Sequence, residues 1–412
     1  MTNTQPKPES ADSATKQADV HVQRFSVPFE YPVHFTRDLF DSANPLFASV
    51  VDRLQEDRRH RVVFYIDDGV TAAHPTLVKR INAYFHTHPD KLELACPPQP
   101  VVGGEAAKRG WNMVQDLMWT IGNLHLDRQS CVVAIGGGSV LDMVGFATSI
   151  VHRGLRLIRV PTTTLAQNDA GVGVKNGMDE HGQKNFVGTF APPFAVLNDA
   201  AFLATLTDQD WIGGVAEAFK VATIKDAAFF DFLCENATSL AKRDAESMEE
   251  AVRRCAILHL DHISSNGDPF EFGSARPLDF GHWSGHKLEV LSNYELGHGQ
   301  GVAIGIALDA YYAMRCKLLS TDELHQILEG LDTCGLPTWT ELLERRGASG
   351  ELEIIDGLHQ FREHLGGVLT ITLPDGIGAK TEVHHMDTQL IEDGVAFLKQ
   401  RAHQPDAPWR LV

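Results

Sequence analysis

At 412 residues the chain exceeds the length at which a single core usually stops growing, and with 43% hydrophobic and 22% charged residues it reads as globular, so two domains are expected. A net charge of -18 excludes nucleic acid and anionic membrane as general partners, and an anionic ligand would need a local basic pocket set against the overall field. The six cysteines are dispersed without a CxxC spacing, which fits reduced thiols in a cytoplasm better than a disulfide framework or a zinc ribbon.

Residues 1–20 are polar, lack the apolar stretch of a secretory signal and read as a disordered tail. No run of about 18 apolar residues follows, so a soluble cytoplasmic protein is expected. HVQRFSVPFEYPVHF alternates apolar and polar residues and predicts one or two strands at a sheet edge. DSANPLFASVVDRLQ predicts a capped helix, and RHRVVFYIDDGV a buried strand ending in an acidic turn at Asp67 and Asp68. A helix in HPTLVKRINAYFHTH, a strand in KLELACPPQPVV and a helix in WNMVQDLMWTIGNLHL come next. CVVAIGGGSVLDMVGFATSIV reads as strand, glycine turn and helix, and LRLIRVP as one more strand. This alternation predicts a Rossmann-like α/β domain over residues 21–204, with its ligand at the carboxyl ends of a parallel sheet. Amphipathic helices dominate from residue 205 onward, predicting a helical domain over 205–412 with room for a short strand pair in GGVLTITLP.

Between Val160 and Lys220 the apolar period disappears. Thr162, Thr163, Asn168, Asp169, Lys175, Lys184, Asn185, Glu217 and Lys220 stand there among glycines, as in functional loops on a rigid scaffold. Upstream, the turn AIGGGSVLD joins a strand to a helix, where glycines let backbone N–H groups approach a phosphate. It is not a GxGxxG, and no clear acid follows about twenty positions on. Asp67, Glu105 and Lys108 lie at two other strand ends and offer partners for ribose hydroxyls. His282 and His286 in DFGHWSGH are four apart, on one helical face. With His298 in LGHGQG and Glu217 in GGVAEAFK they form a candidate set of imidazoles plus one carboxylate for a catalytic metal. Lys175, Lys184, Lys220, Arg153 and Lys380 give a basic set suited to a phosphate-bearing polyol.

Taken together, GGEAAK, GGGSVLDMVGFA, HRG, VPTTTLAQNDAGVGVK, KNFVGTFAPP, GGVAEAFK, FGHWSGH, HGQGVAIG and LPDGIGAK resemble the dehydroquinate synthase superfamily, the sugar phosphate cyclases, in the family's order. The resemblance implies a dehydroquinate synthase-like fold, a Rossmann-like domain followed by an all-α domain, with the site in the cleft and a homodimer as the usual assembly. It implies that Glu217, His282 and His298 hold zinc, or cobalt in its place, and that His286 lies near the substrate phosphate and is not a ligand. Asp67, Glu105, Lys108, Gly137, Gly138, Asp142, Thr162 and Thr163 match NAD-binding positions, with Phe202 and Thr205 lining the same cofactor. Asp169, Lys175, Lys184, Asn185 and Lys220 match residues around the reacting ring, Lys184 counting with the cofactor set as well. Arg153 matches an arginine that reaches the phosphate from the neighbouring subunit, and Lys380 a further phosphate ligand.

Departures from the family pattern fall where dehydroquinate synthases grip a substrate carboxylate. His259 stands at a lysine position, Asp279 at an asparagine position, and Arg276 is displaced by one residue from the expected arginine. An aspartate there would repel a carboxylate and suits a hydroxyl instead. The pattern resembles 2-epi-5-epi-valiolone synthase-like cyclases acting on sedoheptulose 7-phosphate. The alternatives are a 3-dehydroquinate synthase with an altered carboxylate site and a metal-dependent polyol dehydrogenase.

Overall fold

The structure, a computed structural model, describes residues 20–181, 183–265, 270, 278–364 and 369–403. Most of the expected tail lies outside them, as does Arg276. Residues up to Glu30 and from Tyr31 onward form two units. In the first, Val20–Glu30 has no regular secondary structure.

The second unit begins with β1 (Val33–Thr36), α1 (Leu46–Val51), β2 (His60–Asp67), α2 (Asp68–Ala73), α3 (Leu77–Thr87), β3 (Leu92–Leu94) and β4 (Gln99–Val101). It continues through α4 (Trp111–Asn123), β5 (Cys131–Gly136), α5 (Gly138–Ile150), β6 (Arg156–Pro161), β7 (Lys175–Glu180), β8 (Gln183–Phe190) and β9 (Ala195–Asp199). A seven-stranded sheet runs β1-β9-β6-β5-β2-β3, with β4 also on β2. Each of its strand pairs is parallel. Of the one or two strands expected in HVQRFSVPFEYPVHF, one forms, β1, which lies parallel to β9 at the sheet edge. The single strand expected in KLELACPPQPVV is two, parted at Pro97 and Pro98. Alternate residues of β2 enter cores on opposite sides of the sheet, Phe64 and Ile66 on one and Val63 and Tyr65 on the other. Burial on both faces explains why VVFYI is a continuous apolar run.

The chain leaves β2 toward β3 and β4 and returns to β5 on β2's other side, so the topological switch lies between the ends of β2 and β5. The antiparallel pair β7–β8 stands apart from this sheet and carries Lys175, Lys184 and Asn185.

The helical part comprises α6 (Asp208–Lys225), α7 (Ala227–Glu235), α8 (Ala237–Ala241), α9 (Ala245–Ser265), α10 (His282–Leu291), α11 (His298–Arg315), α12 (Thr321–Thr333), α13 (Asp356–His364) and α14 (Thr388–His403). It is not all helix: β10 (Ile371–Pro374) pairs antiparallel with β11 (Lys380–Val383), so GGVLTITLP supplies one strand and GIGAKTEV its partner. No helix among the described residues is long and apolar enough to cross a membrane.

Candidate active site

Strand ends bring the first group of predicted residues to one edge of the sheet. Asp67 closes β2 and its Oδ1 accepts the Gly69 N–H at 2.8 Å. A Cβ on Gly103 would fall 2.3 Å from that oxygen, so a larger residue after β4 would have to displace the Asp67 carboxylate. Burial raises the Asp67 carboxyl above its ordinary range. Gly137 caps and Gly138 opens α5, so the unpaired N–H groups of the first turn stand at the same edge. Thr162 is buried and donates its N–H to Gly136 O at 3.0 Å, while Thr163 Oγ1 accepts the Ala166 N–H at 3.1 Å. Lys108 Nζ donates to Asp142 Oδ2 at 2.8 Å and also meets Asn185 Oδ1. Burial works against its charge, but Asp142, Asp179 and Glu105 outweigh burial and raise its pKa. Glu105 Oε1 accepts from Ser139 Oγ at 3.1 Å. Beyond β9, the Phe202 ring meets His74 edge-on at 5.1 Å and Thr205 Oγ1 lies 2.8 Å from His74 Nε2.

The loop after β6 passes through one π-helical turn, Ala166–Ala170, that carries Asn168 and Asp169. Asn168 is tied down through Nδ2 to Gly214 O at 2.7 Å, whereas Asp169 Oδ1 meets His259 Nδ1 at 2.7 Å. The following turn is held from inside the sheet. Arg159, fully buried in β6, donates to Gly171 O, Gly173 O and Lys175 O at 3.2, 2.8 and 2.8 Å and to Asn176 Oδ1 at 2.7 Å.

Glycines decide how the metal candidates meet. A Cβ on Gly305 would fall 1.9 Å from Gly281 O, one on Gly285 3.0 Å from Gly301 O, and one on Gly299 2.2 Å from Gly213 O. Helices α10 and α11 thus lie in backbone contact, and the first turn of α11 lies against α6. This brings His282, His286 and His298 together, with one ring nitrogen from each within 4.8 Å of the others. Glu217, one turn after Gly213, places Oε1 3.2 Å from His298 Nε2 and 3.5 Å from His282 Nε2. Its Oε2 meets Lys220 Nζ. Asp309 fixes the turn around His282, accepting the Gly281 N–H at 2.9 Å and the Trp283 Nε1–H at 2.7 Å.

Charge at this cluster is divided sharply. Burial opposes ionisation of Glu217, but Lys220 outweighs it and the carboxyl drops to about 2. Burial likewise opposes the Asp169 charge, yet Lys220 and His259 hold it well below its ordinary value. Lys220 is raised, burial being outweighed by Glu217 and Asp169. Burial and Lys220 push His282 down to about 4, and burial and His282 push His286 down to about 3, so both are neutral at pH 7. His298 rises to about 10, its burial outweighed by Glu289 and Glu217. An ionised carboxylate, neutral imidazoles and an imidazole proton held between two carboxylates, where a cation can replace it, form a donor set that fits a divalent metal.

Four groups important to this geometry escaped the sequence reading. Glu289 bonds both His298 and Lys184. Arg159 holds the loop, Tyr294 lies under the Arg109 and Lys184 cations, and Lys225 sits 3.4 Å from His262. Burial and the neighbouring Lys380 lower the Lys225 pKa. Other predicted residues stand outside the metal cluster. Lys175 is exposed, Arg153 is exposed on a left-handed turn with φ 64°, and Lys380 Nζ lies 3.4 Å from Glu382 Oε1. Asp279 adds negative charge near Lys220 and His286, and its carbonyl accepts the His282 N–H at 3.0 Å.

A 3-dehydroquinate synthase from Ruegeria sp. (strain TM1040) is 35% identical over 330 residues, 78% of this chain and 84% of that protein. A 2-epi-5-epi-valiolone synthase from Streptomyces glaucescens is 31% identical over 359 residues, 87% of this chain and 88% of that protein. The solved structure of 2-epi-5-epi-valiolone synthase from Streptomyces hygroscopicus subsp. jinggangensis 5008, with NAD+ and Zn2+ bound, superposes with a TM-score of 0.80 at 28% identity, covering 93% of this chain and all of that one. The 3-dehydroquinate synthase N-terminal family matches residues 99–213 and the C-terminal family residues 214–352, which divides the chain close to where the sheet gives way to helices. With both halves matched in order, and the carboxylate and imidazoles brought together within the C-terminal match, the chain belongs to the 3-dehydroquinate synthase family.

Proposed function

We propose that the protein is an NAD- and zinc-dependent sugar phosphate cyclase whose substrate is a heptulose 7-phosphate without a carboxylate, sedoheptulose 7-phosphate being the leading candidate. One observation carries the choice of substrate. Where a carboxylate-bearing substrate would need cations, His259 is engaged by Asp169 at 2.7 Å and Asp279 adds a further negative charge beside Lys220. A substrate carboxylate would meet like charge there, whereas hydroxyls can donate to these carboxylates.

In this reading Glu217, His282 and His298 hold the metal, zinc or cobalt. Asp67, Glu105, Lys108, Gly137, Gly138, Asp142, Thr162 and Thr163 hold NAD, with Phe202, Thr205 and Lys184 at its border. When bound, the two supply reversible hydride transfer and polarisation of the ring alcohol. The chain's own residues do the rest. Lys220 presents a positive charge to oxygen that becomes negative as the alcohol is oxidised. Asp169, ionised, accepts hydroxyl protons and orients His259. His286, uncharged at neutral pH, carries a proton beside the phosphate. Lys175, Asn185, Lys380 and Arg153 from the partner of a homodimer hold the phosphate and ring. Transient oxidation of the ring alcohol would permit β-elimination of phosphate, and re-reduction, ring opening and intramolecular aldol closure would then give a carbocycle with no net oxidation. We also place the enzyme in the cytoplasm, where its six unpaired cysteines remain reduced.

The test is phosphate release with NAD and zinc from sedoheptulose 7-phosphate and from the corresponding 2-keto acid phosphate. Turnover of the first without net NADH supports the proposal. Turnover of the keto acid alone identifies a 3-dehydroquinate synthase with an altered site, and stoichiometric NADH identifies a dehydrogenase.

A further inference from the structure

Glu289 lies on α10 and is only 2% exposed, though it belongs to no motif assigned a role above. Its two oxygens serve different parts of the molecule. Oε1 accepts from Lys184 Nζ on β8 at 2.7 Å, and Oε2 meets His298 Nδ1 at the start of α11 at 3.2 Å. On the far side of the same imidazole, Nε2 faces Glu217 Oε1 at 3.2 Å. A histidine that donates Nδ1–H to a carboxylate keeps its Nε2 lone pair for a metal, and the ring is fixed in the plane that aims it. Lys184 is seated in turn by Glu289, by Glu105 at 3.8 Å and by the Tyr294 ring at 5.0 Å. The result is an unbroken chain, Lys184–Glu289–His298–Glu217–Lys220, running from the hairpin to α6. A carboxylate this buried is tolerated only with such partners, so neither end of the link can be lost without consequence for the other.

We propose that Glu289 is a positioning residue that fixes the tautomer and aim of His298 and at the same time seats Lys184, so that one carboxylate sets both the metal centre and the substrate rim. This rests on the reading of Glu217, His282 and His298 as metal ligands.

The experiment measures zinc affinity of metal-stripped protein by competition with a chromophoric chelator, together with the visible spectrum of the Co2+-loaded protein. Thermal melts of the metal-free proteins serve as the folding control. Glu289→Ala is expected to weaken zinc binding about 10- to 100-fold and to shift the cobalt bands. In Glu289→Gln alone, Lys184 claims the amide oxygen and turns the NH2 toward His298, which enforces the wrong tautomer. The double variant Lys184→Met/Glu289→Gln frees the amide oxygen for the His298 Nδ1–H and is expected to recover most of the affinity. Wild-type zinc affinity in Glu289→Ala, with binding abolished in Glu217→Ala, would overturn the proposal while leaving the metal reading intact. A double variant no better than Glu289→Ala would overturn it as well. Undiminished zinc binding in Glu217→Ala would remove the metal reading and the proposal with it.

Discussion

Replacing Gly305 with alanine separates helix packing from helix propensity at the metal candidates. The added Cβ would stand 1.9 Å from Gly281 O and 2.9 Å from Ser284 Oγ, against a carbon–oxygen contact of about 3.3 Å or more. The obstacle at Gly281 is backbone, so α10 and α11 must part by more than about an ångström. Overpacking of this kind costs about 1–3 kcal/mol, and alanine returns up to about 1 kcal/mol as the better helix former. A net loss of about 1–2 kcal/mol in urea unfolding is expected. The functional loss should be larger, because Gly281 immediately precedes His282 and a shift of about 1 Å in a reacting group can cost about 100-fold. Gly213→Ala is the control: its Cβ meets nothing within 4 Å, so stability should hold or rise slightly. Gly305→Ala with wild-type zinc affinity and phosphate release would refute the idea that the glycine contact sets the site, as would equal losses in both variants.

Arg159→Met should destabilise by about 3–5 kcal/mol, since three carbonyls and an amide oxygen lose one buried donor; a change under about 1 kcal/mol in urea unfolding would contradict the role given to Arg159. Burial pushes the Asp309 carboxyl up to about 7, so the folded state binds a proton that the unfolded chain has lost, and stability falls as pH rises from about 4 through about 7. Asp309→Asn should flatten that slope, worth a few kcal/mol at most, in unfolding measured at pH 5 and pH 8, and an unchanged slope would count against it. Lys108→Met leaves Asp142 without its 2.8 Å partner and should raise the NAD dissociation constant about tenfold by titration calorimetry; unchanged affinity would remove Lys108 from the cofactor set.

The sheet edge is legible because short continuous apolar runs such as VVFYI and CVVAI mark strands buried on both faces, and strand ends locate ligand-facing turns. Asp67, Gly137 and Thr162 were found that way. The helical part was less legible for a physical reason. Gly281, Gly285, Gly301 and Gly305 read locally as turns or weak helix positions, yet their function is a close approach between helices that no local pattern states. The His282–His286 spacing showed that two imidazoles share a face, but it could not show that His298 and Glu217 converge on them. Glu289 falls outside every motif quoted above. Its signal was present all the same, since positions 282, 286 and 289 fall at i, i+4 and i+7 on one helical face. Arg159 was hidden inside the apolar run LRLIRVP, where a charge has meaning only once its buried partners are known.

The basic residues also divide in a way the net charge of -18 alone could not show. Lys108 faces Asp142, Lys184 faces Glu289 and Lys220 faces Glu217, each with little side-chain exposure, so their charges are largely matched inside the protein. In the proposed reaction such lysines would orient hydroxyls and stabilise developing negative charge, while adding little net attraction for a dianion. Lys175 and Arg153 are exposed and Lys380, 3.4 Å from Glu382, is half-buried, so in the proposed reading the salt-sensitive attraction for a phosphate comes from these three cations, working against the overall field. Rim charges are screened over about 8 Å at physiological ionic strength and over about 3 Å at 1 M salt, whereas the buried pairs are not. KM for the sugar phosphate should therefore rise several-fold between low salt and 1 M salt while kcat changes little. A KM unchanged up to 1 M salt would instead refute phosphate capture by the rim cations.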